Sequence, residues 1–326
     1  MKKMLLHSSL RRYQDKIAAA APGWELIVVN REDTINADDE IEIVAGMSMA
    51  GIGGYSWELL DSLKGVRWVQ LRSAGADQLP LQKMEKRGIA LTTAIGVHGE
   101  PLSESIFAFI LGFARGLWWS LHDQSRKFWR RATDVENTIY SPWEMHGQTI
   151  GIMGTGVVGS ETARLAKAFN MRTLGFSRSG KPAAHFDVVY PLDQLDQLLS
   201  QSDFVVNILP LTSETHGLIN AARFNQMKPS ACYIGIGRGD TTVQQDLIDA
   251  LKNKKIAFAG LDVTTPEPLP ADSPLWSMDN VMITPHVAWA TEHYDARVLE
   301  IFLRNLDAYL REGKPAFNVF DHRKMY

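Results

Sequence analysis

The sequence predicts an α/β protein of two doubly wound parallel-sheet domains. Short apolar runs of strand length alternate with segments of helix length along most of the chain, the pattern of strands covered by helices on both faces. Within Thr149–Ser179 an apolar run leads into Gly154, Gly156 and Gly159, spaced G-x-G-x-x-G. A segment with one apolar side (Ala163, Leu165, Ala166, Phe169) and a second apolar run, Arg172–Phe176, follow. That is the strand, glycine turn, helix and strand of a dinucleotide-binding unit. The length of 326 residues suits two domains.

In chain order, Met4–Leu6, Leu26–Val29, Ile41–Ala45, Val66–Leu71 and Ile89–Thr92 read as strands, with helices over Tyr13–Ala21 and Trp57–Leu63. They make one small α/β domain. Gly96–Pro101 reads as a hinge, and Pro101 suits the first turn of a helix. The next helix, Leu102–Trp119, is apolar almost all round, which asks for burial on every side. An interface, between domains or between two copies, is preferred here to the central helix of one domain. Beyond the glycine motif, Phe204–Leu209, Ala231–Ile236, Ile256–Val263 and Val281–Thr284 read as strands and Val243–Leu251 as a helix. Thr291–Glu312 is a long helix with Leu299, Leu303, Leu306 and Leu310 at packing positions; Pro315–Phe320 is expected to return to the first domain. The glycines of Gly51–Gly54 and Gly235–Gly239 do not repeat the motif's spacing and read as loops.

Composition excludes several functions. The chain is 45% apolar, with net charge −3 and pI about 6.3, so no basic balance points to nucleic acid or an anionic membrane. Arg126, Lys127, Arg130 and Arg131 surround Phe128 and Trp129, but one such cluster reads as a solvated loop. Lys2-Lys3 precedes too short an apolar run for a secretion signal, and Ile106–Ala114 is too short to span a bilayer. The lone Cys232 excludes an intramolecular disulfide, and a cytoplasmic location is expected. The nine histidines are scattered; no metal is expected.

Each motif glycine has a physical reason. Gly154 permits the tight turn, Gly156 lets the backbone approach a pyrophosphate, and Gly159 lets the helix lie close to the sheet. With Thr155, Val157 and Val158, they present free N–H groups at a positive helix end. The end of the second strand decides which cofactor. NAD sites place Asp or Glu there for the ribose hydroxyls, whereas this chain has Ser177-Arg178-Ser179 and Lys181. Hydroxyls and a guanidinium suit a 2′-phosphate that a carboxylate would repel. NADP(H) is therefore expected, with NAD(H) second. The plain alternative is a solvated Arg178, with Asp187 or no carboxylate on the ribose.

Arg238, Glu267 and His286 each follow a predicted strand, where ligands bind in such sheets. Singly, each also reads as an ordinary loop residue. Jointly they suit hydride transfer to a carbonyl. His286 could protonate the resulting alkoxide, Glu267 could hold the imidazole and favour its protonated form, and Arg238 could grip a carboxylate in two-pronged geometry.

The motifs together resemble the D-isomer-specific 2-hydroxyacid dehydrogenase family over essentially the full length. They are Ser73-Ala74-Gly75-Ala76-Asp77, Glu100-Pro101-Leu102-Ser103-Glu104, Gly154–Gly159, Leu209-Pro210-Leu211-Thr212, Gly237-Arg238-Gly239, Gly260-Leu261-Asp262-Val263 with Pro266-Glu267-Pro268-Leu269-Pro270, and Thr284-Pro285-His286. The spacing from Arg238 through Glu267 to His286 is similar to that of the family's glyoxylate and hydroxypyruvate reductases. The resemblance implies a Rossmann cofactor domain (99–293) inserted into a smaller flavodoxin-like substrate domain (1–98 and 294–326). It implies Arg238, Glu267 and His286 as the catalytic set, and the Ala74-Gly75-Ala76 backbone as a second holder of the substrate carboxylate. It places the cofactor near Leu209, Pro210, Thr215, Ile236, Gly237, Asp262, His286 and Trp289, in a cleft that closes before hydride transfer. It also implies a homodimer. Two departures stand out: Ser177 and Arg178 replace the acidic residue of NAD-using members, and Trp289 stands where the family often has a small residue or Ser. Met47 and Met49, expected in a small-domain loop, could give a soft pocket wall or be ordinary packing.

The expectation is thus an NADPH-dependent reductase of small 2-oxo acids, glyoxylate or hydroxypyruvate first. The alternatives are a cofactor-sensing corepressor-type binding protein on the same fold and an NAD-linked dehydrogenase of the phosphoglycerate kind. Glu267 argues against a formate dehydrogenase, whose branch looks to have Gln there.

Overall fold

The structure, a computed structural model, describes residues 1–29, 40–47, 59–76, 79–134 and 141–321. Met49, the Gly51–Gly54 loop and Asp77 lie outside the described residues. The chain forms two units, Met1–Val97 with Thr291–Tyr326, and His98–Ala290; the expected boundaries were 98/99 and 293/294.

The first unit holds β1 (Lys3–His7), α1 (Gln14–Ala20), β2 (Glu25–Val29), β3 (Ile41–Met47), α2 (Leu59–Ser62), β4 (Trp68–Leu71), α3 (Leu81–Lys86) and β5 (Ala90–Thr92). Its sheet is parallel in the order β2-β1-β3-β4-β5. Consecutive β1 residues Met4, Leu5 and Leu6 are all fully buried, as a strand covered on both faces requires. Leu5, Val44 and Val69 pack on the side of Leu60, Leu81 and Met84.

The second unit holds α4 (Gly99–Ala114), α5 (Leu117–Ser125), β6 (Thr149–Met153), α6 (Val157–Ala168), β7 (Arg172–Phe176), β8 (Val188–Tyr190), α7 (Leu195–Gln201), β9 (Phe204–Asn207), α8 (Ala221–Phe224), β10 (Cys232–Gly235), α9 (Gln244–Lys252), β11 (Phe258–Leu261) and β12 (Val281–Ile283). Its parallel sheet runs β12-β11-β10-β9-β6-β7-β8. The order in which strands are added reverses between β6 and β9, which run parallel, and this is the switch point at which such sheets bind ligands. One face carries α4 and α6; the other carries α7, α8 and α9.

The last helix, α10 (Tyr294–Glu312), returns to the first unit. Leu299, Phe302, Leu306 and Tyr309 join Met4, Leu6, Ile43 and Trp68 in its second core, with Trp68 stacked on Phe302 and Tyr309. Phe320 N–H then bonds the Leu91 carbonyl beside β5. Among the described residues no helix is long and apolar enough to cross a membrane.

Three expectations need correction. The apolar helix from Leu102 is two helices, broken at Gly116, whose φ of +68° favours glycine. Its first part is the second unit's own central helix: Ile106, Phe109, Ile110 and Phe113 are buried against the sheet, and Phe109 lies where a Cβ on Gly260 would go. Its apolar girth therefore needs no second partner. Met47 ends β3 rather than sitting in a loop, and it is fully buried in the first unit's core, so ordinary packing accounts for it. The strand β8 and helix α7 were not anticipated. Val188–Tyr190 is too short for a periodic signal, and α7 has few residues to show one.

Candidate active site

Every residue expected at the cofactor and catalytic positions of the second unit follows a strand at the carboxyl edge of its sheet. The apolar runs predicted as strands overrun the strands themselves. β9 stops at Asn207, β10 at Gly235 and β11 at Leu261. Ile208–Pro210, Ile236–Arg238 and Asp262 thus belong to the turns that build the site.

At β6 the glycine turn does what its spacing requires. Gly154 has φ +119°, and a Cβ on Gly159 would stand 1.9 Å from the Gly154 carbonyl oxygen. Gly156 differs: a Cβ there would meet nothing within 4 Å. The protein leaves that space open, as a pyrophosphate close to the backbone needs. α6 begins at Val157, exposed beside Val158, with Ser160 N–H bonded to the Gly156 carbonyl. These residues fit a dinucleotide.

Beyond β7, Ser177 N–H bonds the Tyr190 carbonyl, Ser179 Oγ accepts from Lys181 N–H, and the Arg178 guanidinium donates to Glu214 Oε2 at 2.7 Å. Arg178, Ser179 and Lys181 are exposed. Asp187, the alternative ribose acceptor, is at the other end of β7: its carboxylate accepts from Thr173 N–H and pairs with Lys167 at 2.5 Å. Burial is the largest single effect and pushes its carboxyl up, but the lysine and the Thr173 bonds together outweigh it and hold the carboxyl below the usual range. It has no place beside Ser177.

After β9, Thr215 spends its hydroxyl on its own turn, donating to the Pro210 carbonyl at 2.6 Å and accepting from Thr212 N–H. Leu209 N–H bonds Asn207 Oδ1. The side chain of Ile236 goes into the core. Arg238 is half-buried between glycines that close contacts demand. A Cβ on Gly237 would stand 2.6 Å from the Leu209 carbonyl oxygen, and one on Gly239 2.1 Å from that of Thr264. Below them Asn207, Tyr233 and Thr241 form a buried chain, and Thr241 Oγ1 donates to the Arg238 carbonyl at 2.6 Å. Burial pushes the Tyr233 phenol up to about 12.

His286 and Glu267 come together directly. His286 Nδ1 lies 2.7 Å from Glu267 Oε2. A carboxylate only accepts, so Nδ1 carries the hydrogen and Nε2 faces elsewhere. Thr264 N–H donates to the second oxygen of Glu267, which ties this pair to the loop that Gly239 touches. His286 has φ +53°, unusual for a residue with a Cβ. Such strain persists only when the surroundings over-determine it, and Asp262 supplies that. Its carbonyl accepts from His286 N–H. Its buried carboxylate accepts from Thr284 Oγ1 at 2.6 Å and from the N–H groups of Val287 and Ala288. Trp289 donates its indole N–H to the His286 carbonyl at 2.9 Å and is 42% exposed. Asp262, expected near the cofactor, has its carboxylate engaged in holding the His286 turn. A carboxylate directly after a buried strand was the signal for that brace.

In the first unit, Ala74–Ala76 follow β4, with Ser73 Oγ donating to the Gly75 carbonyl and Ala76 buried.

A family model described as D-isomer specific 2-hydroxyacid dehydrogenase, NAD binding domain, matches residues 107–288. A glyoxylate reductase of Pyrococcus furiosus is 35% identical over 259 residues, covering 79% of this chain and 77% of its own. A D-isomer specific 2-hydroxyacid dehydrogenase family protein from Aeromonas salmonicida superposes with TM-score 0.84 at 34% identity over 98% of this chain and 99% of that one. An NADPH-dependent glyoxylate/hydroxypyruvate reductase from Sinorhizobium meliloti, in complex with NADP and sulfate, gives TM-score 0.80 at 26% identity over all of both chains.

Proposed function

The chain belongs to the D-isomer specific 2-hydroxyacid dehydrogenase family, and on that footing we propose that it uses NADPH to reduce glyoxylate, hydroxypyruvate or a similarly small 2-oxo acid to the D-2-hydroxy acid. That it is an NAD(P)-dependent oxidoreductase follows from the family and the names of its relatives. The observation that carries the finer reading is the 2.7 Å contact of His286, after β12, with Glu267, after β11, the strand next to the one that precedes Arg238.

Gly154, Gly156, Gly159 and the first turn of α6 would hold the pyrophosphate, with Ser177, Arg178 and Ser179 at the adenosine end. When bound, the reduced nicotinamide supplies a hydride to the carbonyl carbon. Glu267 fixes the imidazole by its Nδ1–H, leaving Nε2 to hand a proton to the carbonyl oxygen. Arg238 holds the substrate carboxylate and draws charge from the adjacent carbonyl. Asp262 keeps the His286 turn in its strained form, so the proton donor is placed before substrate arrives.

The test follows loss of NADPH and of NADH absorbance with glyoxylate, hydroxypyruvate, pyruvate, an aromatic and a branched 2-oxo acid. Fast turnover of the small acids with NADPH is expected; tight NADPH binding without turnover of any acid would end this reading. A homodimer is part of the proposal. Leu117 and Leu121, one turn apart on α5, are 56% and 61% exposed, an apolar stripe suited to a second copy. Sedimentation of the wild type and Leu121→Lys tests it; a monomeric wild type would refute it.

A further inference from the structure

The ion pair of Arg178 with Glu214 has no part in the chemistry above, yet it stands beside the nucleotide turn. Arg178 follows β7, and Glu214 lies in the loop after β9. The strand between them is β6, which leads into the glycine turn. The pair therefore joins the loops on either side of the Gly154–Gly159 turn. Its atoms are 2.7 Å apart, and the two side chains are 50% and 54% exposed. Among the described residues no buried bond fixes Glu214, and an exposed pair of this kind is held weakly enough to exchange.

Resting on the NADPH reading, we propose that Glu214 is a specificity-determining residue of the nucleotide site. Its carboxylate occupies the Arg178 guanidinium as an internal anion, and the 2′-phosphate of NADP(H) must displace it. Two effects act in the same direction. Carboxylate and phosphate compete for one cation, and their like charges repel at short range. NAD(H) brings no phosphate and leaves the pair intact. Glu214 thus reduces the preference that Arg178 creates, and the protein retains use of both cofactors.

Glu214→Gln keeps the shape of the side chain and removes its charge. The ratio of the KM for NADH to that for NADPH should rise roughly three- to tenfold, less at high salt. Tryptophan-fluorescence titration with NADPH and with adenosine 2′,5′-bisphosphate should show the same tightening without turnover. In the Arg178→Ala background the Glu214→Gln effect should largely disappear, because the shared cation is gone. An unchanged or lowered ratio in Glu214→Gln, while Arg178→Ala abolishes NADPH preference, would overturn this proposal and leave the cofactor reading standing. An Arg178→Ala protein with undiminished NADPH preference would overturn both.

Discussion

The two sides of the carboxyl edge of the seven-stranded sheet are built on opposite plans. At β10–β12, a buried Asp262 accepts hydrogen bonds from Thr284, Val287 and Ala288, Gly239 is pressed against Thr264, and His286 is held in a left-handed turn. At β7, Arg178, Ser179 and Lys181 stand in solvent, and Arg178 is met by an equally exposed glutamate. On the proposed function the first side would deliver a proton, which tolerates little displacement and is suited by buried bonds that are costly to break. The second would recognise an anion, which works through charge at several ångströms, so exposed side chains would suffice.

The comparison is tested most severely at His286. His286→Ala should lower kcat by about a thousandfold, within the range for a lost general acid, and leave NADPH binding by fluorescence nearly intact. Asp262→Asn should come next. The amide has no charge, and where the second carboxylate oxygen also accepts from Ala288 N–H it would set an NH2 group instead, so kcat should fall roughly ten- to a hundredfold with a small change in the KM for NADPH. Equal losses in both constants would show that Asp262 supports the whole edge and not the proton donor. On the exposed side, Arg178→Ala should raise the KM for NADPH about tenfold or more with kcat preserved and little change for NADH. A parallel loss for both cofactors would erase the contrast.

How much of this was legible in the sequence follows the same division. The strands, the glycine turn and the residues Arg238, Glu267 and His286 leave local signals: apolar runs, fixed spacing and polar side chains straight after a run. The meeting of Glu267 with His286 could only be inferred from neighbouring strand ends. Glu214 was illegible, because nothing near Glu214 in sequence marks it as the partner of Arg178. The bonds from Asp262 to the 284–288 turn are only half legible: a carboxylate directly after a buried strand marks the residue, but nothing near it in sequence names the donors it holds. The break at Gly116 was missed because apolar residues continue through it on both sides. Met47 was misplaced because Gly46 looked like the end of a strand that in fact continues past it, with a shift of register there.

The smallest expected effect lies under the buried side. Asn207 Nδ2 donates to the Tyr233 hydroxyl at 2.8 Å and to Thr241 Oγ1, which in turn holds the Arg238 carbonyl. Tyr233→Phe leaves one buried N–H of Asn207 without that acceptor, a cost of about 1–3 kcal/mol readable as a lower Tm. A slight rise in the KM for the 2-oxo acid should accompany it, because Arg238 rides on the same chain. The pH dependence separates this from a simple packing loss. Burial raises the folded-state pKa of Tyr233 from 10.0 to about 12, so its contribution is fully present below about 10 and is lost as pH climbs through that interval, where the unfolded chain releases the proton first. Tyr233→Phe should therefore lose less Tm than the wild type over the same climb. Identical slopes would mean that the phenol titrates freely, and the buried chain beneath Arg238 would not be closed to solvent.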